Sequence, residues 1–207
     1  MFITFEGLDF SGKSTQIFLL REHLENRGEE VVVIREPGGT SISEKVRDIL
    51  LDKKNQEMVF ETELLLFSAS RAQLVREVIL PHLEKKHFVL SDRFHDSSVA
   101  YQGFGRGVDI ETIMEIQRFA IGKAIPDLTF FIDIPLEMIE SRKIKHKIEL
   151  DRIELMKNDF YTKVREGYFF LAEKEKRFRV IDGTKTKEEV HQEIMKYIEL
   201  FENGMAE

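Results

Sequence analysis

The amino-acid sequence predicts an α/β fold in which a parallel β-sheet is covered by helices on both faces. The first observation is that five short runs rich in β-branched and aromatic residues recur along the chain. The second is that longer stretches with apolar residues at helical spacing separate these runs, as in βαβ units. The third is size, because 207 residues of which 42% are hydrophobic suffice for a single domain, 1–207, with one sizeable core.

The first half of the chain contains three of the predicted strands. They are apolar runs bounded by turn residues or charges, at Phe2 to Glu6, Glu30 to Ile34 and Phe88 to Ser91. Apolar periodicity predicts helices at about Lys13 to Asn26, Ser43 to Leu51 and Met58 to Lys86. Gly28 follows the first helix where a C-terminal cap belongs, and Pro81 is expected to kink or divide the third.

The second half continues the alternation, with strands at Leu128 to Ile134 and Phe178 to Ile181. Helices are predicted at about Asp109 to Gly122, Leu136 to Lys145 and Leu150 to Lys174, and a last helix has Val190, Ile194 and Ile198 on one face. The carboxyl ends of parallel strands meet at one edge of a sheet, where ligands of such folds bind. The residues that follow each strand are therefore the first candidates for a functional site.

Composition argues against several classes of protein. The chain has no cysteine, which excludes disulfides and thiolate metal sites. A formal net charge of −7 is opposite in sign to the excess that neutralises nucleic-acid phosphates. No apolar run approaches the ~20 residues that span a bilayer, and the first residues lack the pattern of a signal peptide. We therefore expect a cytoplasmic protein with neither a nucleic-acid nor a membrane partner.

The first strand is followed by G-L-D-F-S-G-K-S at 7–14, which fits the phosphate-binding pattern G-x-x-x-x-G-K-[ST]. Its glycines let backbone N–H groups surround phosphates, and the next helix adds the positive end of its dipole. Lys13 would reach the β- and γ-phosphates and Ser14 would bind Mg²⁺. Nucleotide binding is predicted for Gly7, Leu8, Asp9, Phe10, Ser11, Gly12, Lys13, Ser14 and Thr15. The pattern leaves the reaction open, because GTPases, transport ATPases and kinases share it.

Polar residues also follow the second and third strands. R-E-P-G-G-T at 35–40 is by itself no more than a turn. Asp92 ends the third strand where P-loop enzymes place an aspartate that organises Mg²⁺, and the adjacent Arg93 could hold a phosphate through paired hydrogen bonds. The segment D-S-S-V-A-Y-Q-G-F-G-R-G at 96–107 is more typical of a polar binding surface than of a core helix.

Two further patterns are ambiguous on their own. Phe67 and Arg71 stand four apart on a predicted helix and share a face, where they could stack on a base and hydrogen-bond it. Taken singly, a phenylalanine here is more often a core residue and an arginine more often a surface residue. The basic run R-K-I-K-H-K at 142–147 could be a solvated surface, but we interpret it as a lid, about 142–152, that closes over ATP.

Six motifs occur in an order that resembles the thymidylate kinase family and together span nearly the whole chain. They are F-E-G-L-D-F-S-G-K-S-T at 5–15, R-E-P-G-G-T at 35–40, T-E-L-L-L-F-S-A-S-R-A-Q at 62–73, D-R-F-H-D-S-S-V-A-Y-Q-G at 92–103, P-D-L-T at 126–129 and D-R-I-E at 151–154. The resemblance implies a P-loop NTPase fold, with a five-stranded parallel sheet flanked by helices on both faces and a basic lid segment. It also implies transfer of the γ-phosphate of ATP to dTMP with Mg²⁺, and a homodimer.

The resemblance assigns roles to matching positions. Phe67 would stack on thymine, Arg71 and Gln102 would read the base edge or the phosphate, and Tyr101 would crowd the sugar 2′ position. Asp9 would bind the 3′-hydroxyl and Arg93 would bridge the donor and acceptor phosphates. The remaining assignments place Glu36, Pro37, Ser97 and Ser98 at the monophosphate, Asp182-Gly183-Thr184 at adenine, and Ser14 with Asp92 at the metal.

The choice of the transition-state cation depends on two departures from the family pattern. Some relatives carry an arginine at the position of Phe10, and others carry arginines in the lid. Because Phe10 has no charge and the lid is mainly lysine, which lacks arginine's planar fork, we predict Arg142 for this role. The predicted catalytic set is therefore Lys13, Arg93, Arg142 and Asp9.

Two alternatives remain at this point. A deoxynucleoside kinase would need a base for a sugar hydroxyl, and Glu36 could serve. A phosphate monoester acceptor, with a second pKa near 6, needs no base but does need cations, which suits the arginines here. A P-loop regulatory ATPase acting through a protein partner would leave Phe67, Arg71, Tyr101 and Gln102 without a joint purpose.

Overall fold

The computed structural model describes residues 1–146, 152–153 and 158–204. Its strands form one five-stranded sheet in the order β2-β3-β1-β4-β5, and every neighbouring pair is parallel. The strands are β1 Phe2–Glu6, β2 Val31–Arg35, β3 Phe88–Asp92, β4 Leu128–Asp133 and β5 Phe178–Asp182. The predicted α/β class and strand number are confirmed, and each strand lies within one residue of its expected bounds.

Helices alternate with the strands along the described chain. They are α1 Lys13–Asn26, α2 Ser41–Leu51, α3 Phe60–Leu74, α4 Leu80–Glu84, α5 His95–Ser98, α6 Ile110–Ile121, α7 Leu136–His146, α8 Asn158–Lys174 and α9 Lys187–Glu202. Two π-helical segments extend this set, since Val75–Ile79 joins α3 to α4 and Val99–Gly105 continues α5. No helix among the described residues is both long enough and apolar enough to span a membrane.

Side-chain caps define where several helices begin. Thr40 and Asp109 each accept a hydrogen bond from the backbone N–H three residues later, at the start of α2 and α6. Thr186 and Glu189 form a reciprocal capping box at the start of α9. The cap at Thr40 explains why α2 begins at Ser41, slightly before the helix that the apolar pattern predicts.

The core has two layers because side chains alternate across the strands. On one face of the sheet, Ile3 packs with Leu20 of α1 and Ile194 of α9. On the other face, Phe2 packs against Leu74 of α3 and the π-helical turn that follows it, and farther along Phe131 packs against α8. All of β1 is buried, so this strand is the centre of the sheet and its carboxyl end opens into the middle of the ligand-binding edge.

The helix predicted over Met58 to Lys86 runs from Phe60 to Glu84 through a change of helix type rather than a break. Pro81 lacks an N–H, and in a regular α-helix its ring would clash with the carbonyl of Glu77. Glu77 lies in the π-helical segment Val75–Ile79, where the wider hydrogen-bonded ring loosens the turn. The proline is therefore accommodated within a continuous helical rod.

Two other expectations are wrong in part. The segment over 96–107 is helical and largely buried rather than an open polar surface, because Val99 and Ala100 pack into the core beside α8. The helix predicted from Leu150 does not include Arg152 and Ile153, which form a turn, and α8 as described begins at Asn158.

Candidate active site

The phosphate loop connects β1 to α1 at the carboxyl edge of the sheet. Gly7 has a φ of 134°, and a Cβ placed there would lie 2.5 Å from the carbonyl oxygen of Ile132, so the position excludes other residues. Gly12 has a φ of 109° and leads directly into Lys13, the first residue of α1. The loop therefore brings the N-terminal end of α1, with its unpaired N–H groups and positive dipole end, to the place where phosphates would bind.

Lys13 and Ser14 point in two directions from the start of α1. The Nζ atom of Lys13 donates to the carbonyl oxygens of Gly7 at 3.1 Å and Leu8 at 3.0 Å. The Lys13 side chain is buried, and burial lowers its pKa. The Oγ atom of Ser14 donates to Oδ2 of Asp92 at 2.9 Å, so the two predicted metal-binding residues are in direct contact.

The Ser14 and Asp92 oxygens suit Mg²⁺, which prefers few protein ligands and completes its shell with water and phosphate oxygens. Among the described residues, there is no cluster of three or more acidic or histidine side chains that could hold a metal by itself. A magnesium ion bound at this pair would therefore depend on a nucleotide for part of its coordination.

Arg93 lies at the turn that follows β3 and has a left-handed φ of 69°. Its guanidinium donates to Oδ1 of Asp9 at 2.7 Å and to the hydroxyl of Tyr168 at 3.1 Å, and it lies 5.0 Å from the ring centroid of Tyr101. Burial alone would raise the pKa of Asp9, but the charges of Arg93 and Lys13 outweigh it and lower this pKa to about 2. The predicted catalytic residues Asp9, Lys13 and Arg93 thus form one charged cluster.

All of the predicted substrate-binding residues line a single cavity of about 210 Å³ at this edge of the sheet. They are Asp9, Glu36, Pro37, Phe67, Arg71, Arg93, Ser97, Ser98, Tyr101 and Gln102. The same cavity is lined by residues that the sequence did not single out for it, namely Arg35, Arg47, Leu51, Asp92 and Ile153. Arg35 and Arg47 add positive charge to a cavity that already contains the charged side chains of the predicted set.

Arg71 is held more tightly than its predicted role requires. Its Nε donates to Oε2 of Glu36 at 2.7 Å, and its terminal nitrogens donate to Ser98 at 2.9 Å, Gln117 at 2.6 Å and the carbonyl of Phe94 at 3.1 Å. Arg71 is therefore part of the cavity wall. A contact with the base or the phosphate requires exchange of one of these hydrogen bonds.

A second, larger cleft of about 630 Å³ adjoins the cavity, and Asp9 and Asp92 line both. The cleft is formed by the phosphate loop from Asp9 to Gln16, together with Arg142, Gly183, Lys185 and Lys187. Arg142 donates to the carbonyl of Phe10 at 2.6 Å, which places a guanidinium directly over the loop. Arg142 thus lines the cleft beside the phosphate loop, and its catalytic role stays a prediction.

The side chain of Asp182, which the sequence assigns to adenine, is bound within its own turn. Its Oδ1 accepts hydrogen bonds from the N–H and the hydroxyl of Thr184, at 3.0 Å and 2.6 Å, so this side chain closes its own turn. Gly183, rather than the Asp182 side chain, lines the cleft. Adenine binding at Asp182-Gly183-Thr184 therefore stays a prediction, with Gly183 as the residue of this loop that lines the cleft.

The lid residues divide between two environments. Lys143 lies 4.8 Å from the ring centroid of Tyr161, near the phosphate loop. Arg152 instead donates to Oε2 of Glu63 at 2.7 Å and to the carbonyl of Leu50 at 2.8 Å, beside the smaller cavity. Lys147 of the predicted lid lies outside the described residues, as do Asp151 and Glu154 of the D-R-I-E motif and the side chain of Lys145.

Sequence reasoning missed Glu6, a buried glutamate at the end of β1. Its carboxylate accepts hydrogen bonds from the N–H of Phe94 at 2.8 Å, from Ser97 at 2.6 Å and from Tyr168 at 2.8 Å. Burial, reinforced by the charge of Asp96, raises the pKa of Glu6 to about 7. The available signal was a carboxylate inside an otherwise apolar central strand, immediately before the glycine of the phosphate loop.

The parallel sheet, the phosphate loop after its central strand, and two adjoining cavities lined by cations define a P-loop phosphoryl-transfer enzyme. The family model described as "Thymidylate kinase" matches residues 5–194, and the chain belongs to the thymidylate kinase family.

Individual relatives agree with this membership over almost their whole length. The thymidylate kinase of Kosmotoga olearia is 52% identical and the alignment covers 95% of this chain and 94% of that protein. The thymidylate kinase of Thermosipho melanesiensis is 52% identical, with 96% and 98% covered. The crystal structure of thymidylate kinase from Ehrlichia chaffeensis is 38% identical and superposes with a TM-score of 0.78, over 96% of this chain and 98% of that one.

The raised pKa of Glu6 predicts a measurable dependence of stability on pH. Because this pKa is about 7 in the folded protein and near 4.5 for an ordinary glutamate, folding binds a proton, and the contribution of Glu6 to stability falls as the pH rises from about 4.5 to about 7. Glu6→Gln cannot titrate. We expect the free energy of unfolding of the wild-type protein, relative to this variant, to decrease on the order of 3 kcal/mol across that range and to be constant above it.

Urea unfolding of both proteins at a series of pH values measures this difference. A difference that is constant from acidic to neutral pH would show that the Glu6 carboxylate is not perturbed in the folded state.

Proposed function

We propose that this protein is a cytoplasmic kinase that transfers the γ-phosphate of ATP to dTMP, giving dTDP and ADP. The observation that carries the proposal is the cavity described above, in which every residue expected to bind the monophosphate nucleotide faces one space. That space meets the phosphate-loop cleft at Asp9 and Asp92, so two nucleotides bound in them would present their phosphates to each other. The single domain of 1–207 supplies both sites in this proposal.

The proposed mechanism relies on positioning and charge rather than on a base. The acceptor is a phosphate monoester whose second pKa is near 6, so at neutral pH it is already a nucleophilic dianion. Arg93 lines the acceptor cavity beside Asp9 and is proposed to hold the acceptor phosphate against the donor. Lys13 and Arg142 line the donor cleft and are proposed to offset charge on the transferring group.

The cofactor Mg²⁺ is proposed to be held by Ser14 and Asp92, where it would supply positive charge that offsets the charge of the ATP phosphates. Asp92 accepts a hydrogen bond from Ser14, which fixes the two oxygens on the same side of the phosphate loop. Ser14 also lies in the first turn of α1, whose dipole favours anions at this point, so protein and metal charges would act on the same phosphates.

Specificity for the acceptor is proposed to come from the farther wall of the cavity. Phe67 is partly buried against the core cluster and offers a ring on which thymine could stack. The ring of Tyr101 lies under the guanidinium of Arg93, where a 2′-hydroxyl would be crowded. Glu36, Pro37, Ser97 and Ser98 are proposed to surround the monophosphate, and Asp9 to bind the 3′-hydroxyl.

The proposed activity is tested by an ADP-forming assay with ATP and Mg²⁺ over a panel of nucleoside monophosphates. We expect dTMP to be the preferred acceptor and dTDP to be the product. Thymidine turned over in place of dTMP would identify a deoxynucleoside kinase instead. ATP hydrolysis that does not depend on any monophosphate would indicate a regulatory ATPase.

Replacement of Arg93 tests its proposed bridging role. Arg93→Ala removes the cation between the two phosphates, and we expect kcat to fall by about 10³-fold or more, as for other arginines that stabilise phosphoryl transfer. Arg93→Lys keeps the charge but not the paired donors, and it should recover only part of the rate. Steady-state kinetics give both values, with circular dichroism to confirm folding. A folded Arg93→Ala variant with near-normal kcat would remove Arg93 from the catalytic set.

We also propose a homodimer formed by α2, α3 and α6. These helices pack side by side, and each exposes apolar side chains, namely Ile42 and Ile49 on α2, Leu65 on α3, and Met114 and Phe119 on α6. Phe119 is 82% exposed, which is unusual for a phenylalanine on a regular helix. Leu65 lies two residues from Phe67 on α3 and thus on the opposite side from the ligand cavity.

The dimer is tested with a matched pair of charge insertions. We expect Leu65→Glu to convert the protein from dimer to monomer, because it places a charge in the proposed apolar interface. Phe18→Glu is the control, since Phe18 is equally exposed but lies on α1, on the other face of the sheet. Sedimentation velocity distinguishes the two states. A wild-type protein that sediments as a monomer at all concentrations would rule out the dimer.

A further inference from the structure

Glu63 is a charged residue on the buried side of α3, with 1% of its surface exposed. Three side chains donate hydrogen bonds to its carboxylate: Nε2 of Gln102 at 2.9 Å, the guanidinium of Arg106 at 3.0 Å and that of Arg152 at 2.7 Å. A glutamate that is buried in this way is costly unless all of its partners are in place. None of the roles assigned above uses Glu63.

The surroundings of Glu63 keep it ionised. Burial alone would raise its pKa, but the hydrogen bond from Gln102, the charge of Arg106 and the hydrogen bonds of both arginines outweigh burial and lower the pKa below its ordinary value. An ionised carboxylate can accept hydrogen bonds but cannot donate them. The amide group of Gln102 must therefore turn its nitrogen towards Glu63.

The orientation of the Gln102 amide determines what the cavity presents to a ligand. Gln102 lines the same cavity as Phe67, on which the base of the nucleotide is proposed to stack. A planar amide has its nitrogen and oxygen on opposite sides, so an amide whose nitrogen is bound to Glu63 has its oxygen left for the ligand. The oxygen can only accept a hydrogen bond.

We propose that Glu63 is a specificity-determining residue that acts through Gln102, by holding its carbonyl oxygen towards the base. A base that donates an N–H to this oxygen is accepted, as thymine can through N3, whereas cytosine has an unprotonated acceptor at that position. The mismatched base leaves two acceptors facing each other, and buried groups without a partner reject a ligand strongly. The inference rests on the proposed function, because it takes a pyrimidine monophosphate as the occupant of this cavity.

Arg106 and Arg152 have a supporting part in this arrangement. A neutral side chain at position 63, such as a protonated glutamate or a glutamine, could both donate and accept. It would let the Gln102 amide rotate and present its N–H₂ group instead. The two arginines disfavour protonation of Glu63, because each forms an ion pair with its carboxylate. Arg152 is adjacent to Ile153, which itself lines the cavity, so the same ion pair joins the lid segment to the wall that contains Gln102.

The test compares the dissociation constants of dTMP and dCMP, measured by calorimetry on the wild-type protein and on Glu63→Gln. We expect the wild-type protein to prefer dTMP and the variant to lose about tenfold or more of that preference. Arg106→Met is the comparison variant, because it removes one arginine partner of Glu63 but leaves Arg152 and the Gln102 contact, and it should lose less of the preference than Glu63→Gln does. In a Gln102→Leu background, Glu63→Gln should have no further effect on the preference.

The outcomes separate this inference from the proposed function. Wild-type protein that binds dTMP in preference to dCMP but does not phosphorylate it contradicts the function and leaves the inference standing. A folded Glu63→Gln variant that keeps the wild-type preference for dTMP over dCMP overturns the inference. Glu63→Gln also overturns it if it lowers this preference as much in the Gln102→Leu background as in the wild-type protein. A wild-type protein that binds dTMP and dCMP equally well overturns it too. If Glu63→Gln does not fold, Glu63→Asp replaces it in the test. This variant keeps the charge between the arginines but shortens the side chain by one methylene group, and it should also lower the preference for dTMP over dCMP.

Discussion

The structure of this protein depends on holding positively charged side chains in positions that are partly removed from water. Two nucleotide phosphates repel each other, and cations that offset this repulsion lose hydration when they are buried. The structure meets this constraint by pairing buried cations with carboxylates at the carboxyl edge of the sheet. Arg93 and Lys13 share Asp9, Arg71 is bound to Glu36, and Arg106 and Arg152 share Glu63. The cations are thus retained in the absence of substrate, and each one is already oriented.

The central position of β1 in the sheet explains how the charged residues that follow β1 and β3 come into contact. Its neighbours β3 and β4 run in register with it, so that Phe5 lies opposite both Asp92 and Phe130. The phosphate loop and the Arg93 turn therefore leave the sheet at the same level, within hydrogen-bonding distance of each other. Glu6, the last residue of β1, binds the N–H of Phe94 and two hydroxyls beside Arg93, which ties the end of the strand to the turn. The position of the site is therefore set by the register in which β1 pairs with β3 and β4.

Much of this arrangement can be predicted from the sequence, and the features that cannot be predicted share a physical cause. Strand bounds and the phosphate loop depend on local periodicity and glycine spacing, which is why β1 and the Lys13–Asn26 helix match their predicted limits. The partners of Arg71, Glu6 and Glu63 depend on side chains from distant parts of the chain, so a residue type alone cannot reveal them. The sequence also did not reveal the π-helical turn before Pro81 or the turn at Asp182, which is closed by two hydrogen bonds from Thr184. Neither has a sequence signal as strong as a motif.

Asp9 has an additional consequence, because one carboxylate belongs to the walls of both clefts and to both ion pairs. A substitution at this position cannot adjust recognition of one nucleotide while sparing the other. Substitutions that change the preference for one nucleotide alone are therefore restricted to residues that face a single cleft, such as Phe67 and Gln102 on one side or Phe10 and Lys185 on the other. At the shared carboxylate, recognition of one ligand is inseparable from recognition of the other.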